Sequence, residues 1–373
     1  MSVALISLTY KCRGHSKEYI DNLSKHLHNS FDFSLYYYNQ KLNRNGVGVL
    51  DYKTEQIGAP YRKILRRFFY SLRFYFSNRK SIRDNKLLYF TDYEYLSLLL
   101  SIVLFFRKNK KIVWIHSASC DGNFFYKSYK KLFFYLLSKL QIDGCVVNGT
   151  ETKNELVKLI SSKIPVHVIQ YPSELNVLPM NSIDAKKQLG FQNKKVFSLI
   201  GMIRKDKNYE YAISAFAQSN AFNNPDSVLH IAGAPSGISE SSVLEWLRQH
   251  SVKNYKLDSG YLSEEEINTA FSASDCLLMP YGNTGSSQSG PLSLCRNYGL
   301  PAIVRGGGEI GRYVEYEEVG FSCNNLKEFI TAMNMIHSCK LLTKFADAIL
   351  KAKRKFSWSQ AAIKYKEVFN GVK

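Results

Sequence analysis

The chain has 373 residues, 45% of them hydrophobic and 22% charged, with 50 Lys and Arg against 31 Asp and Glu for a formal net charge of +19 at pH 7. That length exceeds what one hydrophobic core ordinarily serves, so two domains are expected, and the apolar share excludes an intrinsically disordered chain. A surface this basic points to nucleic acid, an anionic membrane or phosphorylated ligands, although joint enrichment in Lys, Asn, Tyr, Phe and Ile also fits an AT-rich coding bias.

The seven cysteines, at positions 12, 120, 145, 276, 295, 323 and 339, are odd in number and far apart, with no CxxC. That pattern argues for free thiols in a reducing cytosol and against a disulfide framework or zinc site. Met1-Ser2 runs straight into the strand-like Val3-Ala4-Leu5-Ile6-Ser7-Leu8 with no basic n-region, so no signal peptide is expected. The longest apolar run, Tyr95 to Phe106, falls short of the roughly 20 residues a bilayer span needs and reads as a buried helix.

In chain order, residues 3–8 read as a buried strand. A polar turn containing Gly14-His15 follows, then a helix with Tyr19, Ile20, Leu23 and Leu27 on one face. Strand, glycine turn and helix make half of a nucleotide-type βαβ unit. Further strands are expected over 33–38, 87–90, 112–115, ending at His116, and 145–147, with a helix around 95–106. Between them lie two basic amphipathic segments, Tyr61 to Lys80 and Phe124 to Leu140. In the first, Ile64, Leu65, Phe68, Phe69, Leu72 and Phe76 share one helical face, and Arg62, Lys63, Arg66, Arg67 and Arg73 the other. Such a helix either packs its apolar face on the sheet with its cations solvated, or lies on an anionic membrane through Arg62, Arg66, Arg67 and Arg73. The location of Tyr70 and Phe74 among the cations favours the membrane.

The alternation breaks over residues 173–195, a Lys- and Pro-containing linker that ends a first domain at 1–172. A second series fills 196–356: strands at 196–200, 228–231, 255–257, 276–279 and 302–304, and helices at 209–217, near 240–250 and at 264–273. The closing helix, 357–373, is expected to pack back on the first domain. The whole reads as α/β, with two doubly wound Rossmann-like domains.

Ligands of open α/β sheets bind off the carboxyl ends of the strands, so the residues there are the candidates. The stretch from Asp275 to Pro301 passes from a strand through a loop of small polar residues into a helix, with Ser289-Gly290 at its mouth, Pro291 just inside and Gly299 at its end. Free N–H groups and the helix dipole make such a mouth an anion site. Gly201 ends another strand, and Arg204 and Lys207 follow it three residues apart on a turn, placed to clamp one diphosphate. His15, beside Gly14, and His116 lie at strand ends of the first domain. No DxD triplet occurs, so a metal-bridged diphosphate lacks its usual ligands. The absence of HExxH, GxSxG and GxxxxGK[ST] disfavours zinc protease, serine hydrolase and P-loop NTPase chemistry.

These residues resemble a known family. Two consecutive doubly wound domains resemble the GT-B fold, with the domains facing a cleft. Residues 201–216 (GMIRKDKNYEYAISAF), 230–235, 260–281, 286–304 (SSQSGPLSLCRNYGLPAIV) and 356–365 are similar to the large retaining glycosyltransferase family of bacterial polysaccharide and lipopolysaccharide sugar transferases (group 1 type). Residues 14–23 and 113–116 are weaker matches. The resemblance implies that Arg204 and Lys207 neutralise a leaving nucleoside diphosphate. It implies donor contacts from Gly201, Gly233, Tyr261, Leu262, Ser287, Gln288, Ser289, Gly290 and Leu292, with Gly14, His15 and His116 facing the acceptor and transferred sugar. The implied substrate is a UDP- or GDP-type nucleotide sugar, the acceptor lipid-linked or an oligosaccharide, with no cofactor, no divalent metal and no nucleic acid partner. The implied setting is cytoplasmic, peripheral to the inner face of the cell membrane. One departure stands out: the family's E-x7-E positions are Ser286 and Leu294 here, a Ser-Gln-Ser-Gly variant. A catalytically silent GT-B scaffold or regulator is the alternative that departure raises.

Overall fold

The computed structural model describes residues 1–8, 15–38, 47–48, 60–120, 124–174, 177–282, 289–338 and 342–372, with backbone alone at 15–16, 38, 47–48, 60–63 and 342–344. The chain divides into two compact units, Met1–Gln170 with Trp358–Lys373, and Tyr171–Ser357.

The first unit runs β1 (Ser2–Ser7), α1 (His15–Leu27), β2 (Asp32–Tyr38), the two-residue β3 (Val47–Gly48), α2 (Pro60–Arg83), β4 (Leu87–Asp92), α3 (Tyr95–Leu104), β5 (Lys110–Ile115), α4 (Phe124–Leu137), β6 (Gly144–Val147), α5 (Thr150–Leu156) and β7 (Val166–Val168). These strands form one sheet in the order β3-β2-β1-β4-β5-β6-β7, every pairing parallel. The chain steps one way from β1 to β2 and the other way from β4 onward. Right-handed crossovers therefore place α1 on one face of the sheet and α2, α3 and α4 on the other. Side-chain alternation agrees. Ala4, Ile6, Leu88, Phe90, Val113 and Cys145 join a core with Phe74, Tyr75, Leu98, Ile102, Phe133 and Leu137 of those helices. Tyr89 points the opposite way, with its hydroxyl 3.1 Å from that of Tyr365 and its ring 5.4 Å from Phe369.

The second unit runs α6 (Ser182–Leu189), β8 (Lys195–Ile200), α7 (Tyr209–Ala217), β9 (Ser227–Gly233), α8 (Glu240–Gln249), β10 (Tyr255–Ser259), α9 (Glu264–Ala273), β11 (Cys276–Met279), α10 (Gly290–Tyr298), β12 (Ala302–Arg305), α11 (Gly308–Tyr316), β13 (Gly320–Cys323), α12 (Leu326–His337) and α13 (Leu342–Lys355), and α14 (Trp358–Gly371) then rejoins the first unit beside α1. Its sheet order is β10-β9-β8-β11-β12-β13, again parallel throughout. The chain adds strands one way from β8 to β10 and the other way from β11 to β13, so the topological switch point lies between β8 and β11, between the ends that carry Gly201 and Pro280. Local chemistry fixes the helices around it. Ser263 and Glu266 form a reciprocal capping box on α9. Asn181 caps α6, which ends on Gly190 at φ 75°, and α10 has Pro at its start and Gly299 at φ 68° after it.

Segment 173–195 thus contains a helix, α6, whose Ala185 is fully buried beside Phe191 and Val196. Asp275 lies at the amino end of β11. It accepts from Lys186 and Lys195 at 2.7 and 3.3 Å and from the Val196 N–H at 2.8 Å, a structural clasp at the end of the sheet opposite the switch point. No helix among the described residues is long and apolar enough to cross a membrane.

Candidate active site

The carboxyl end of β8 delivers Gly201 at φ 111°. A Cβ there would lie 2.8 Å from Lys207 Nζ and 3.3 Å from Pro291 Cγ. The bare glycine, the lysine ammonium and the first turn of α10 therefore share one small space. Gly233, at the end of β9 with φ 151°, comes so close that a Cβ would stand 2.2 Å from the Gly201 carbonyl oxygen. Only glycine serves at 233, because its neighbour is backbone and cannot yield.

A web of hydrogen bonds holds the turn after Gly201. Ile203 N–H donates to Ala234 O at 2.8 Å, Ser236 N–H to Ile203 O at 2.9 Å, and Gly282 N–H to Asp206 O at 3.1 Å. The Tyr209 hydroxyl donates back to Gly201 O at 3.0 Å. Asn208, at φ 50°, lets a single 3₁₀ turn (Lys205–Lys207) pass directly into α7. The predicted pair divides. Arg204 stays exposed, 2.8 Å from its neighbour Asp206. Lys207 is only 6% exposed, and no carboxylate among the described residues forms an ion pair with it. Its ammonium lies 5.7 Å from the centre of the Tyr281 ring, a cation–π contact. Burial, with Arg204 nearby, lowers its pKa from the ordinary lysine value to about 8, only partly offset by Asp206.

Ser289, buried, stands at the N-cap of α10 without capping it through its side chain; its hydroxyl is 3.1 Å from that of Tyr281. Burial raises the Tyr281 phenol to about 12, so it is a neutral hydroxyl at any ordinary pH. In the first turn of α10, Pro291 has no N–H and Ser293 N–H donates to Ser289 O at 3.0 Å, which leaves the N–H groups of Gly290 and Leu292 without an intrahelical acceptor, and the helix dipole adds partial positive charge beside Lys207. The combination gathers a buried cation, two hydroxyls and a helix N-terminus at the switch point, chemistry that suits an anion.

Other expected donor residues fall in varied places. Gly290 begins α10, whereas Leu292 is buried in the core of the unit. Leu294, which the resemblance aligns with the second expected carboxylate, is half-buried against that core. Gly260 N–H donates to Gly233 O at 3.2 Å, which brings the 260–262 loop beside the β9 end. Tyr261 there is exposed and Leu262 half-buried. Ser286, Ser287 and Gln288 lie outside the described residues, as does Gly14, and of His15 only the backbone is described.

In the first unit, His116 follows β5 with its side chain exposed. Its Nε2 is 2.7 Å from the Thr91 carbonyl oxygen, so that nitrogen carries the proton and donates. In the neutral ring Nδ1 is then the acceptor. The imidazole lies 4.1 Å from Trp114, which stacks on Tyr19 of α1 at 4.2 Å, so the aromatic pair supports the histidine from beneath. Asp92, at the end of β4, pairs with Arg67 at 3.5 Å, which ties down one of the arginines expected at a membrane.

Sequence reasoning missed three contributors: Tyr209, Tyr281 and the Gly306-Gly307-Gly308 turn between β12 and α11. Gly307 and Gly308 have φ of 82° and 61°, and a Cβ on Gly311 would lie 3.0 Å from the carbonyl carbon of Gly306. The turn thus lets α11 pack tightly on its strand and puts the buried Glu309 in the first turn of the helix. The three consecutive glycines after a strand were the available signal.

The two parallel doubly wound units constitute the GT-B fold. Sucrose-phosphate synthase from Thermosynechococcus elongatus superposes with a TM-score of 0.79 at 13% identity, over 100% of this chain and 99% of that one. HepE of Anabaena, solved in complex with UDP and glucose, gives 0.73 at 13% identity over 100% of both chains. The lipopolysaccharide outer core galactosyltransferase WaaB, in its apo form, gives 0.67 at 13% identity over 100% of this chain and 99% of its own. Within the second unit, residues 181–354 match the family model described as glycosyl transferases group 1. No curated protein sequence matches significantly.

Proposed function

We propose that the protein is a retaining glycosyltransferase that moves a sugar from a UDP- or GDP-type nucleotide donor to a lipid-linked or oligosaccharide acceptor in bacterial surface polysaccharide assembly, working at the inner face of the cell membrane. The observation that carries this reading is the buried Lys207 ammonium facing Gly201 and the open first turn of α10 at the switch point. A cation held at the cost of desolvation, beside unpaired helix N–H groups, suits a diphosphate better than a neutral ligand. HepE, a structural neighbour, has been solved with UDP-glucose, and the match to a glycosyltransferase family covers this same unit.

In the reaction, the bond between the anomeric carbon and the β-phosphate oxygen breaks, and that carbon bonds to an acceptor hydroxyl oxygen. Lys207, Arg204 and the α10 dipole meet the charge appearing on the departing diphosphate, so no divalent metal is required. On this reading none of the carboxylates among the described residues of the second-unit site, Asp206 and Glu309 included, serves as a nucleophile. Attack on the face of departure, with the acceptor proton passing to the leaving phosphate oxygen, then gives retention. His116, through Nδ1, would accept a hydrogen bond from a sugar hydroxyl and orient it.

Turnover of a panel of nucleotide sugars by wild type, Arg204→Ala and Lys207→Ala tests this. Loss in both, deeper for the buried lysine, is expected; unchanged turnover in both removes the diphosphate assignment. Leu294, half-buried against the core at the position that the resemblance aligns with a carboxylate, favours a second reading, a silent scaffold. Selective donor binding without turnover would select it.

A further inference from the structure

The helices α2, α3 and α4 cover one face of the first sheet, and their outward side is unusual. On periodicity, Leu65, Phe69 and Phe76 belong to the apolar stripe of α2, which the sequence leaves either to pack on the sheet or to lie on a membrane. The structure leaves these three outward with Ile64, Phe68 and Leu72 half-buried, and it buries Phe74, whose place among the cations favours the membrane on sequence alone. Ser71, Phe74, Tyr75 and Ile82 are buried, while Leu65, Phe69 and Phe76 are 53, 64 and 53% exposed. The neighbouring α3 exposes Val103 and Leu104, and α4 exposes Phe124, Phe125 and Tyr135. The Phe76 and Phe105 rings lie 5.9 Å apart, so the apolar surfaces of α2 and α3 adjoin. Large apolar side chains exposed on three helices of one layer exceed the scatter of a soluble surface.

Charge is concentrated in the same segment. Residues 60–140 hold 17 Lys and Arg and four Asp and Glu, which is 13 of the chain's excess of 19 positive charges. Arg66, Arg73, Lys80, Lys127 and Lys131 are exposed among the apolar side chains. Several cations lie on rings: Arg79 is 4.0 Å from the centre of Phe76, Lys139 5.3 Å from Tyr135 and Arg66 5.6 Å from Tyr70. Cations beside apolar side chains suit the headgroup level of a bilayer, where the hydrocarbon inserts and the charge meets phosphate.

We propose that the outer face of the α2–α3–α4 layer docks on an anionic lipid bilayer, with Phe69, Phe76, Val103, Leu104 and Phe124 entering the interface and the surrounding Lys and Arg binding lipid phosphates. Nucleic acid would use the cations and could stack on the rings, but exposed Val103 and Leu104 gain nothing from a phosphate backbone. Of the four arginines first assigned to a membrane, Arg66 and Arg73 belong to this surface. Arg67 is committed to Asp92, and the side chain of Arg62 lies outside the described residues. The inference deepens the membrane-side placement of the acceptor but does not depend on sugar transfer.

The test is flotation of the full chain with phosphatidylcholine vesicles and with vesicles carrying phosphatidylglycerol, over a range of salt. Binding to the anionic vesicles alone, weakening with salt, is expected. Arg66→Glu with Arg73→Glu should weaken it at least tenfold, since each membrane-facing cation contributes about fivefold. Phe69→Ser with Phe76→Ser should weaken it comparably without loss of thermal stability, because both rings are exposed. All variants should retain binding of UDP, measured by calorimetry, whereas Lys207→Ala should lose UDP and keep the vesicles. Absence of anionic vesicle binding overturns the proposal, as does vesicle binding that neither double variant weakens. Binding of DNA or RNA without vesicles, or self-association in place of vesicle binding, overturns it too.

Discussion

The ammonium of Lys207 occupies the space that a side chain on Gly201 would need, 2.8 Å from where its Cβ would stand. Six residues apart, the two form a socket and its plug. Gly201→Ala should therefore push the ammonium away from α10 and strain a backbone at φ 111°. The expected result is about tenfold weaker UDP binding and a loss of about 1–2 kcal/mol of stability, by calorimetry and thermal unfolding. Gly233→Ala should cost more, because its Cβ would meet the Gly201 carbonyl oxygen at 2.2 Å and that oxygen is fixed in the sheet end.

The same lysine sets a pH dependence. Its pKa falls to about 8 in the folded chain, chiefly through burial, from the ordinary lysine value of 10.5. Between those values the unfolded chain holds more protons than the folded one, so this group makes stability rise with pH. Below about 8 the charged lysine costs the fold its full desolvation penalty. Lys207→Met should accordingly stabilise the second unit at pH 7, by about 2–3 kcal/mol, while losing affinity for the nucleotide-sugar donor. In wild type, donor affinity should be flat below pH 8 and fall above it as the ammonium deprotonates. A variant both less stable and unimpaired in binding would refute the assignment.

Much of this fold is legible in the sequence, and the exceptions have physical causes. The expected bounds of α9 (Glu264–Ala273) and β11 (Cys276–Met279) match to the residue, the first stopped at its start by the Ser263 capping box that the structure shows. The short β7 and β13 escape notice because neither is a continuous apolar run, and β13 opens on Gly320, whose missing side chain lets it approach Ala302 O. The orientation of α2 is not legible because both its faces carry aromatics, and period alone cannot choose between them. In the site, the spacing of Arg204 and Lys207 is visible, but their unequal burial is set by Tyr209 and Tyr281, which no spacing rule connects to them.

Arg296 offers a stability test away from the ligand. It is 4% exposed, donates to Tyr171 O, and lies between Tyr313 and Phe356, its guanidinium 5.6 and 5.2 Å from the ring centres. Ser173 N–H donates to Phe356 O at 2.7 Å, so Arg296 braces the point where the chain enters and leaves the second unit. Arg296→Ala should destabilise that unit by about 1–3 kcal/mol in denaturant unfolding, since it leaves a cavity and an unmet carbonyl.

Under the proposed function, a change at His116 tests acceptor chemistry separately from donor binding. With Nε2 donating to Thr91 O, Nδ1 is the only ring nitrogen free to accept from a substrate hydroxyl. His116→Phe keeps a ring over Trp114 and removes that acceptor. Turnover should drop about 100-fold or more while UDP affinity stays within twofold, as steady-state kinetics and calorimetry would show.

The central claim, that the Gly201–Lys207–α10 receptor holds a nucleotide sugar's diphosphate, is tested most directly by calorimetric titration of UDP- and GDP-linked sugars into wild type and Lys207→Met at pH 7. One donor type should bind selectively to wild type and lose about 10- to 100-fold in affinity in the better-folded variant. Equal affinity in both proteins, or no binding by either, would contradict it.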